Sequence, residues 1–418
     1  MGAPPSISST RLESVDLARG VAIACALGAH SLTDFGFHHH APPSWVTGAG
    51  LVTRSATPTF LVVFGMMIEL VYRRRAERDG LSAASLRLTV RSVQCYMLYV
   101  LMIVAAWIGG KTSTAAVLPQ ALFLWNPHYG TIIRLYVILL ILTIPLLALR
   151  LRFGTLPIVL LPVAVWAWHP WRNALEPVPD PFEILTASLV GTGDRIGPSV
   201  LHGMVLVCAG ILIAMAVRTR QADRATARPS RLALALPAAA AILAVGILLH
   251  AITRIGAGAF AADLAGSPFR ASNHPYYYAY GLLAALLVLG LAGAVRHLCG
   301  SRVPRWLRVA GQRTLFVYVL GNVLLLLLPR IEITRPWLGI GLALAFVAGL
   351  YALAVVYDRL DRTPMRDAGA TARLLRRVQT GFDAVAERSA VWLHRLIWLL
   401  PSAFRLARRP DGARPKTG

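Results

Sequence analysis

Charge is scarce in this chain of 418 residues. Only 15% of positions are Asp, Glu, Lys or Arg, and Leu135–Leu149, Leu156–Trp168 and Ala233–His250 contain none of the four. A soluble domain of this length needs charge spread along its whole surface, so that class is excluded. Cysteine is scarce too. Cys25, Cys95 and Cys208 fall in apolar runs and Cys299 in a basic link, which sets up no disulfide framework. Acidic residues number 19 against 42 Lys plus Arg, a formal net charge of +23. Such an excess would suggest nucleic acid if the arginines formed a patch. Instead they gather in short links between apolar runs and in the C-terminal tail, so no nucleic-acid partner is expected. No internal repeat stands out.

What the chain has in abundance is apolar sequence, with 56% hydrophobic residues and a mean hydropathy of +0.60. A membrane-crossing helix needs about 20 mostly apolar residues. Such stretches fall near 15–35, 52–73, 91–109, 130–149, 154–170, 197–217, 232–253, 276–296, 308–328 and 336–357. The expected fold class is therefore all-α: a multispanning membrane helix bundle of about ten spans, with the lipid bilayer as its surroundings. The links after even-numbered helices are arginine-rich: Arg73, Arg74, Arg75, Arg78, Arg87 and Arg91; Arg150 and Arg152; Arg218, Arg220, Arg224, Arg228 and Arg231; Arg296, Arg302, Arg305 and Arg308. The opposite links are sparse, with Arg54, Lys111, Arg172, Arg195, Arg254, Arg270, Arg330 and Arg335. That alternation puts both termini in the cytoplasm of a multi-pass protein of the cell inner (plasma) membrane. Val21–Leu27 has the length of a signal-peptide core, but Asp16 and Arg19 precede it and no small-residue cleavage site follows, so a retained first helix is expected. The Met1–Ser6 opening fits a myristoylation pattern only loosely and is discounted.

Two domains follow: 1–357 as the membrane domain, and 358–418 as a basic cytoplasmic tail. Within the tail, Ala372–Arg409 repeats apolar residues at helical spacing with arginines between them, and carries Trp392 and Trp398. This is the pattern of an amphipathic helix lying at a membrane interface. Pro410–Gly418 reads as disordered. Two links on the outer side, Lys111–Gly130 and Trp171–Pro198, exceed the length of a turn, and the second holds Glu176, Asp180, Glu183, Asp194 and Arg195. They would either cap a cavity or be plain solvated loops.

Ionisable groups inside spans are costly and mark function by default. Helix 1 holds the best set. Arg19 and His30 are eleven residues apart, three turns plus roughly 20°, so they share one face and lie about 16 Å apart along the axis. Asp16 precedes Arg19 by three residues, the spacing of a helix-surface ion pair. One face thus offers a cation near the inner end and an imidazole deeper in. An imidazole has the right basicity to take a proton from a hydroxyl or amine. The plainer alternative is an interface anchor plus an outer polar residue. Arg134, His202 and Arg313 are further intramembrane polar groups without an assignable partner. His38-His39-His40 cannot share one rigid face as consecutive loop residues, and no metal is expected. Tyr276-Tyr277-Tyr278 and Tyr280 suit an aromatic belt, with stacking on a sugar ring as the sharper alternative.

The stretch from Arg11-Leu-Glu-Ser-Val-Asp16-Leu-Ala-Arg19-Gly20 through His30 resembles the opening of the acyltransferase-3 family, whose hallmark is an Arg, ten residues, then a His on the first helix. The wider superfamily includes glucan succinyltransferases and heparan-α-glucosaminide N-acetyltransferase. Thr57-Pro58-Thr59-Phe60-Leu61 to Phe64-Gly65 resembles the second-helix segment, with Phe64 in place of a usual serine. Gly311-Gln312-Arg313-Thr314-Leu315-Phe316-Val317-Tyr318 resembles a later helix, although Gly321 and Asn322 occupy the region where a histidine is expected. The resemblance implies a membrane acyltransferase domain over 1–357. It would move an acyl group, most simply acetyl, from cytoplasmic acyl-coenzyme A (acetyl-CoA) to a hydroxyl of a cell-envelope glycan or related molecule. His30, Arg19 and Asp16 are the expected catalytic set, with His30 as base or transient acyl carrier. Arg19, Arg134 and Arg313 are the expected donor contacts. A proton-coupled transporter or flippase is the rival reading of the same helix-1 face; matching inverted halves with broken helices would favour it, and none are found. A non-catalytic scaffold would leave that face unexplained.

Reporter fusions test the topology. Those after Arg78, Arg224 and Arg302 are expected to report cytoplasm, and those near His39, Asp180 and Gly266 the outside. A cytoplasmic signal at Asp180 would overturn the ten-span arrangement.

Overall fold

The computed structural model describes residues 13–172, 174, 181–192, 197–223, 231–363 and 369–399. Arg11, Glu176, Asp180, Asp194, Arg195, Arg224, Arg228 and the tail beyond 399 lie outside the described residues. A backbone in lipid must satisfy its own N–H and C=O groups, and this chain does so with helices; no strand occurs among the described residues. The long helices are α1 (Glu13–Asp34), α2 (Pro43–Asp79), α3 (Leu81–Ile108), α4 (Thr131–Phe153), α5 (Leu156–Trp168), α6 (Val200–Asp223), α7 (Arg231–Ile255), α8 (Pro275–Cys299), α9 (Arg305–Gln312), α10 (Thr314–Leu327), α11 (Pro336–Arg362) and α12 (Ala370–Leu399). Eight of these are long and apolar enough to cross a membrane, and nine such crossings result if α9 and α10 count as one. The fold is a multispanning helical membrane bundle. α5 has 13 residues, about 20 Å of helix against a hydrocarbon core of about 30 Å.

Helix occurs in every apolar stretch read from the sequence, but several boundaries differ, and at three of them the contacts show why. The single helix expected over 308–328 is two helices, bent by 86°. The bend sits at Arg313 (φ −103°, ψ 31°). There the guanidinium reaches Asp358 at 3.1 Å and also pairs with Asp361, both on α11. α11 does not stop at 357. Asp358 is fully buried among Arg313, Arg305 at 3.4 Å and Arg362 at 3.1 Å, so the helix continues through its own ion pairs to Arg362. α2 starts earlier than expected and carries a π-helical segment, Ile68–Tyr72, that includes the buried Glu69. Arg73 at 2.5 Å, Arg150 at 3.3 Å and Arg218 at 3.2 Å converge on that carboxylate and tie α2, α4 and α6 together at one end.

α12 covers the first part of the tail helix expected over 372–409. It is docked antiparallel along α3, where Gln94 donates to Asp383 at 2.8 Å and Ser85 meets His394 at 2.8 Å. Ala372, Ala386 and Ala390 form its buried side, whereas Leu374, Val378, Val385 and Trp392 stay exposed.

Helices in lipid gain little from apolar burial against one another and rely on close backbone approach. α2 and α6 cross this way. A Cβ on Gly65 would lie 2.0 Å from the Val207 carbonyl oxygen, and one on Gly210 would lie 2.0 Å from that of Val62. Gly210→Ala must push the helices apart. We expect it to cost about 1–3 kcal/mol or more, read as a lowered melting temperature of the detergent-solubilised protein. Gly290→Ala is the control, since nothing lies within 4 Å of its Cβ position; it should hold or gain up to about 1 kcal/mol. Equal melting behaviour of the two variants would remove the crossing from the fold's supports.

Candidate active site

Two chambers adjoin inside the bundle, and α1 contributes to both. One, of about 200 Å³, takes Arg19, Tyr72, Arg91, Tyr136 and Thr314 among an otherwise apolar wall that includes Phe60 and Phe64. The other, of about 490 Å³, is lined by His30, Arg54, Tyr129, Arg270 and Tyr277 among others. Ile132 and Tyr318 line both. Arg19 and His30 therefore face neighbouring cavities from one helix, as their spacing predicts.

α10 supplies the opposite face. Thr314, Tyr318 and Asn322 recur every four residues and so stand on one side of the helix. Arg19 donates through Nη2 to Thr314 Oγ1 and holds Asp16 at 3.9 Å. His30 meets Asn322 Oδ1 through Nδ1 at 2.6 Å. The chemistry of Asn322 fixes which proton is where. Its Nδ2 donates to the Tyr318 carbonyl at 2.7 Å, so Oδ1 is the atom left facing His30. An oxygen acceptor requires Nδ1 to carry the proton, so in the neutral ring Nε2 presents its lone pair.

The ring of His30 is clamped as well. Tyr129 stacks on it at 4.2 Å and 17°, and Tyr318 meets it edge-on at 6.3 Å. Both tyrosines are themselves held. The Tyr318 hydroxyl donates to the Tyr129 carbonyl at 2.9 Å, and the Tyr129 hydroxyl donates to Asp34 at 2.8 Å. Burial, and then the Asp34 carboxylate, push the Tyr129 phenol up, so it stays a donor. Asp34 is in turn paired with Lys111 at 3.1 Å, and Lys111 donates to the Leu325 carbonyl at 2.7 Å. One buried ion pair thus locks α1, the 109–130 link and α10 around the imidazole.

The other expected donor contacts sit elsewhere. Arg134 is buried and donates to Asn126 Oδ1 at 3.1 Å, fastening the link before α4; it lines neither chamber. Arg313 serves the bend between α9 and α10 and lines neither chamber. His38, His39 and His40 are all exposed on a one-turn helix, and of the three His38 lines the larger chamber. The tyrosines opening α8 are not a lipid-facing belt. Tyr277 and Tyr278 are buried, Tyr280 donates to the Leu51 carbonyl, and only Tyr277 lines a chamber.

Several site residues escaped the sequence reading. Asn322 registered only as the place of a missing histidine. Asp34 follows His30 by four residues on the same face, a signal that was readable. Tyr129, Arg54 and Arg270 come from links and helix ends with no local pattern. A second polar chain was also invisible. Arg172 donates to His169 Nε2 at 2.7 Å, His169 Nδ1 meets His202 Nε2 at 3.0 Å, and His202 Nδ1 meets Ser199 Oγ at 2.8 Å. It joins two local pairs, His169 with Arg172 and Ser199 with His202, across 33 residues, of which the sequence singled out His202 alone, and it lines neither chamber.

A helical bundle of membrane length, with adjoining cavities at Arg19 and at His30 that share Ile132 and Tyr318, defines a multispanning membrane protein with an interior site. Residues 12–359 match the family described as "Acyltransferase domain", the acyltransferase-3 family. The chain belongs to this family and is a membrane acyltransferase. No curated protein and no solved structure matches it.

The Asn322 contact carries a test. Asn322→Leu removes the acceptor that fixes the His30 tautomer. We expect acyl transfer to fall about tenfold or more while folding changes by about 1 kcal/mol. Nitrogen NMR of labelled histidine should show the single Nδ1-protonated form giving way to a mixture. An unchanged tautomer and rate would dismiss Asn322 from this role.

Proposed function

We propose that this acyltransferase moves an acyl group, most simply acetyl, from acyl-coenzyme A to a hydroxyl of a cell-envelope glycan or related molecule. The carrying observation is the pair of adjoining chambers, one with Arg19 and one with His30, whose walls share Tyr318. The Arg19 chamber joins two cations to an apolar wall. That combination suits a donor with anionic phosphates, a slender neutral arm and an acyl end. Arg19, held by Asp16 and Thr314, positions the donor and offsets negative charge as it develops. The acceptor occupies the His30 chamber with its hydroxyl at Nε2.

The step balances simply. The hydroxyl oxygen attacks the thioester carbonyl as Nε2 takes its proton, the carbon–sulfur bond breaks, and the leaving thiolate receives that proton from the imidazolium. The acceptor leaves as its ester and the donor as free thiol. The arginine alternation supports the donor on the cytoplasmic side and the acceptor on the outer side of the plasma membrane.

Purified protein incubated with labelled acetyl-coenzyme A should release free thiol and label an added acceptor or, slowly, water. The two chambers predict separable defects. Arg19→Ala should raise KM for the donor strongly, and Arg19→Lys should recover only part, because a point charge cannot reproduce the guanidinium fork. His30→Gln keeps hydrogen bonding but cannot take the proton, so kcat should drop roughly 10²-fold or more with KM for the donor little changed. Full turnover by a folded His30→Gln variant would sink the base role, and equal donor affinity of wild type and Arg19→Ala would remove Arg19 from the donor site.

A further inference from the structure

The His30 chamber has an electrostatic character that the transfer reaction alone does not require. Among the described residues its lining holds two arginines and two histidines and no Asp or Glu. The nearest carboxylate on α1, Asp34, is occupied by Lys111 and Tyr129. Arg54 ends the first segment of α2, and Arg270 lies on the short turn Pro268–Ala271 just before α8. Both meet at the same loop. Arg54 donates through Nε to the Ala265 carbonyl at 3.1 Å and through Nη2 to Ser267 Oγ. These bonds use two of its five N–H donors and fix the guanidinium in place. Arg270 lines the same chamber from the turn just before α8, beside Tyr277. Two guanidiniums at one loop repel each other, and no carboxylate in the lining offsets them, so the pair calls for an oxyanion between them.

We infer that the acceptor carries an oxyanion, a phosphate or a carboxylate, which docks at Arg54 and Arg270 while its hydroxyl reaches His30. The inference rests on acyl transfer in this chamber but concerns binding. It distinguishes an acidic acceptor from a neutral glycan. Arg270 is the selective contact, and Arg54 both binds and braces the Ala265–Ser267 loop.

Binding of simple sugars to the detergent-solubilised full chain, without donor, tests it by calorimetric titration with glucose, glucose 6-phosphate and glucuronate. At least one anionic sugar should bind tenfold or more tightly than glucose, and the better of the two names the oxyanion. The protein's net positive charge attracts any anion weakly, so variants locate the effect. Arg270→Gln should lose most of the preference, whereas Arg19→Ala, in the other chamber, should keep it. Equal affinity for all three sugars, or no measurable binding of any, overturns the inference. So does a preference that survives Arg270→Gln or disappears in Arg19→Ala. Where Arg270→Gln fails to fold, equal affinity in the wild type still overturns the inference, and so does an anion preference that Arg54→Gln leaves intact. Thiol release from acetyl-coenzyme A, measured separately on the same sample, reports on the transferase reading, so the two can fail independently.

Discussion

The contact on which the site depends is the approach of Gly311 to the backbone of α1. A Cβ there would stand 1.8 Å from the Asp16 carbonyl oxygen, so only glycine permits it. Because α9 can touch α1 at this point, the chain turns at Arg313 and α10 runs alongside α1. Thr314 then reaches Arg19, Tyr318 arrives where the chambers join, and Asn322 reaches His30. Arg313 holds the turn from the other side through Asp358 and Asp361. Every polar contact that α10 makes to α1 follows from this one crossing.

Charges buried in such a bundle are expensive unless paired, and breaking one partner leaves the other stranded. The chain uses this as fastening. Glu69 gathers three arginines from three helices, Asp358 gathers three more around the bend, and Asp34 with Lys111 closes the opposite end of α1. These clusters are rigid points between which the chambers are suspended. Rigidity matters most at His30, whose ring is fixed by a stack, an edge contact and one hydrogen bond.

How far this was legible from sequence depends on how far apart the cooperating residues lie. Arg19 and His30 share a helix, so a period of 3.6 residues is enough to put them on one face. The apolar stretches announce themselves individually for the same reason. The bend at Arg313 did not, because Gly311-Gln312-Arg313 reads as the polar start of a single apolar helix and the break is set by contacts to α1 and α11. Arg134 and Arg313 looked alike as buried cations. Only tertiary contacts show that each holds a link or a bend. Asn322 was noticed for what it replaced, yet an amide that accepts from Nδ1 can orient an imidazole much as another polar residue would. Arg54 and Arg270 are separated by more than two hundred residues and converge only through the fold.

The junction between the chambers bears on how a membrane protein could carry out transfer from a highly charged donor. On the reading proposed here, the donor's phosphates stay with Arg19 and Arg91, and only its neutral acyl end passes Ile132 and Tyr318. No charge then has to cross the bundle, which avoids the several kcal/mol that an unpaired ion costs in a low-dielectric interior. Tyr318 suits such a junction because its hydroxyl is tied to the Tyr129 carbonyl, leaving a fixed ring face rather than a mobile polar group. The acceptor side then needs its own cations, distinct from Arg19, if it is to hold an acidic molecule against a reaction that gives it nothing to be anchored by except a hydroxyl. On the same reading, Arg54 and Arg270 are the cations placed to do so, and they come from elements other than the α1 that carries Arg19 and His30.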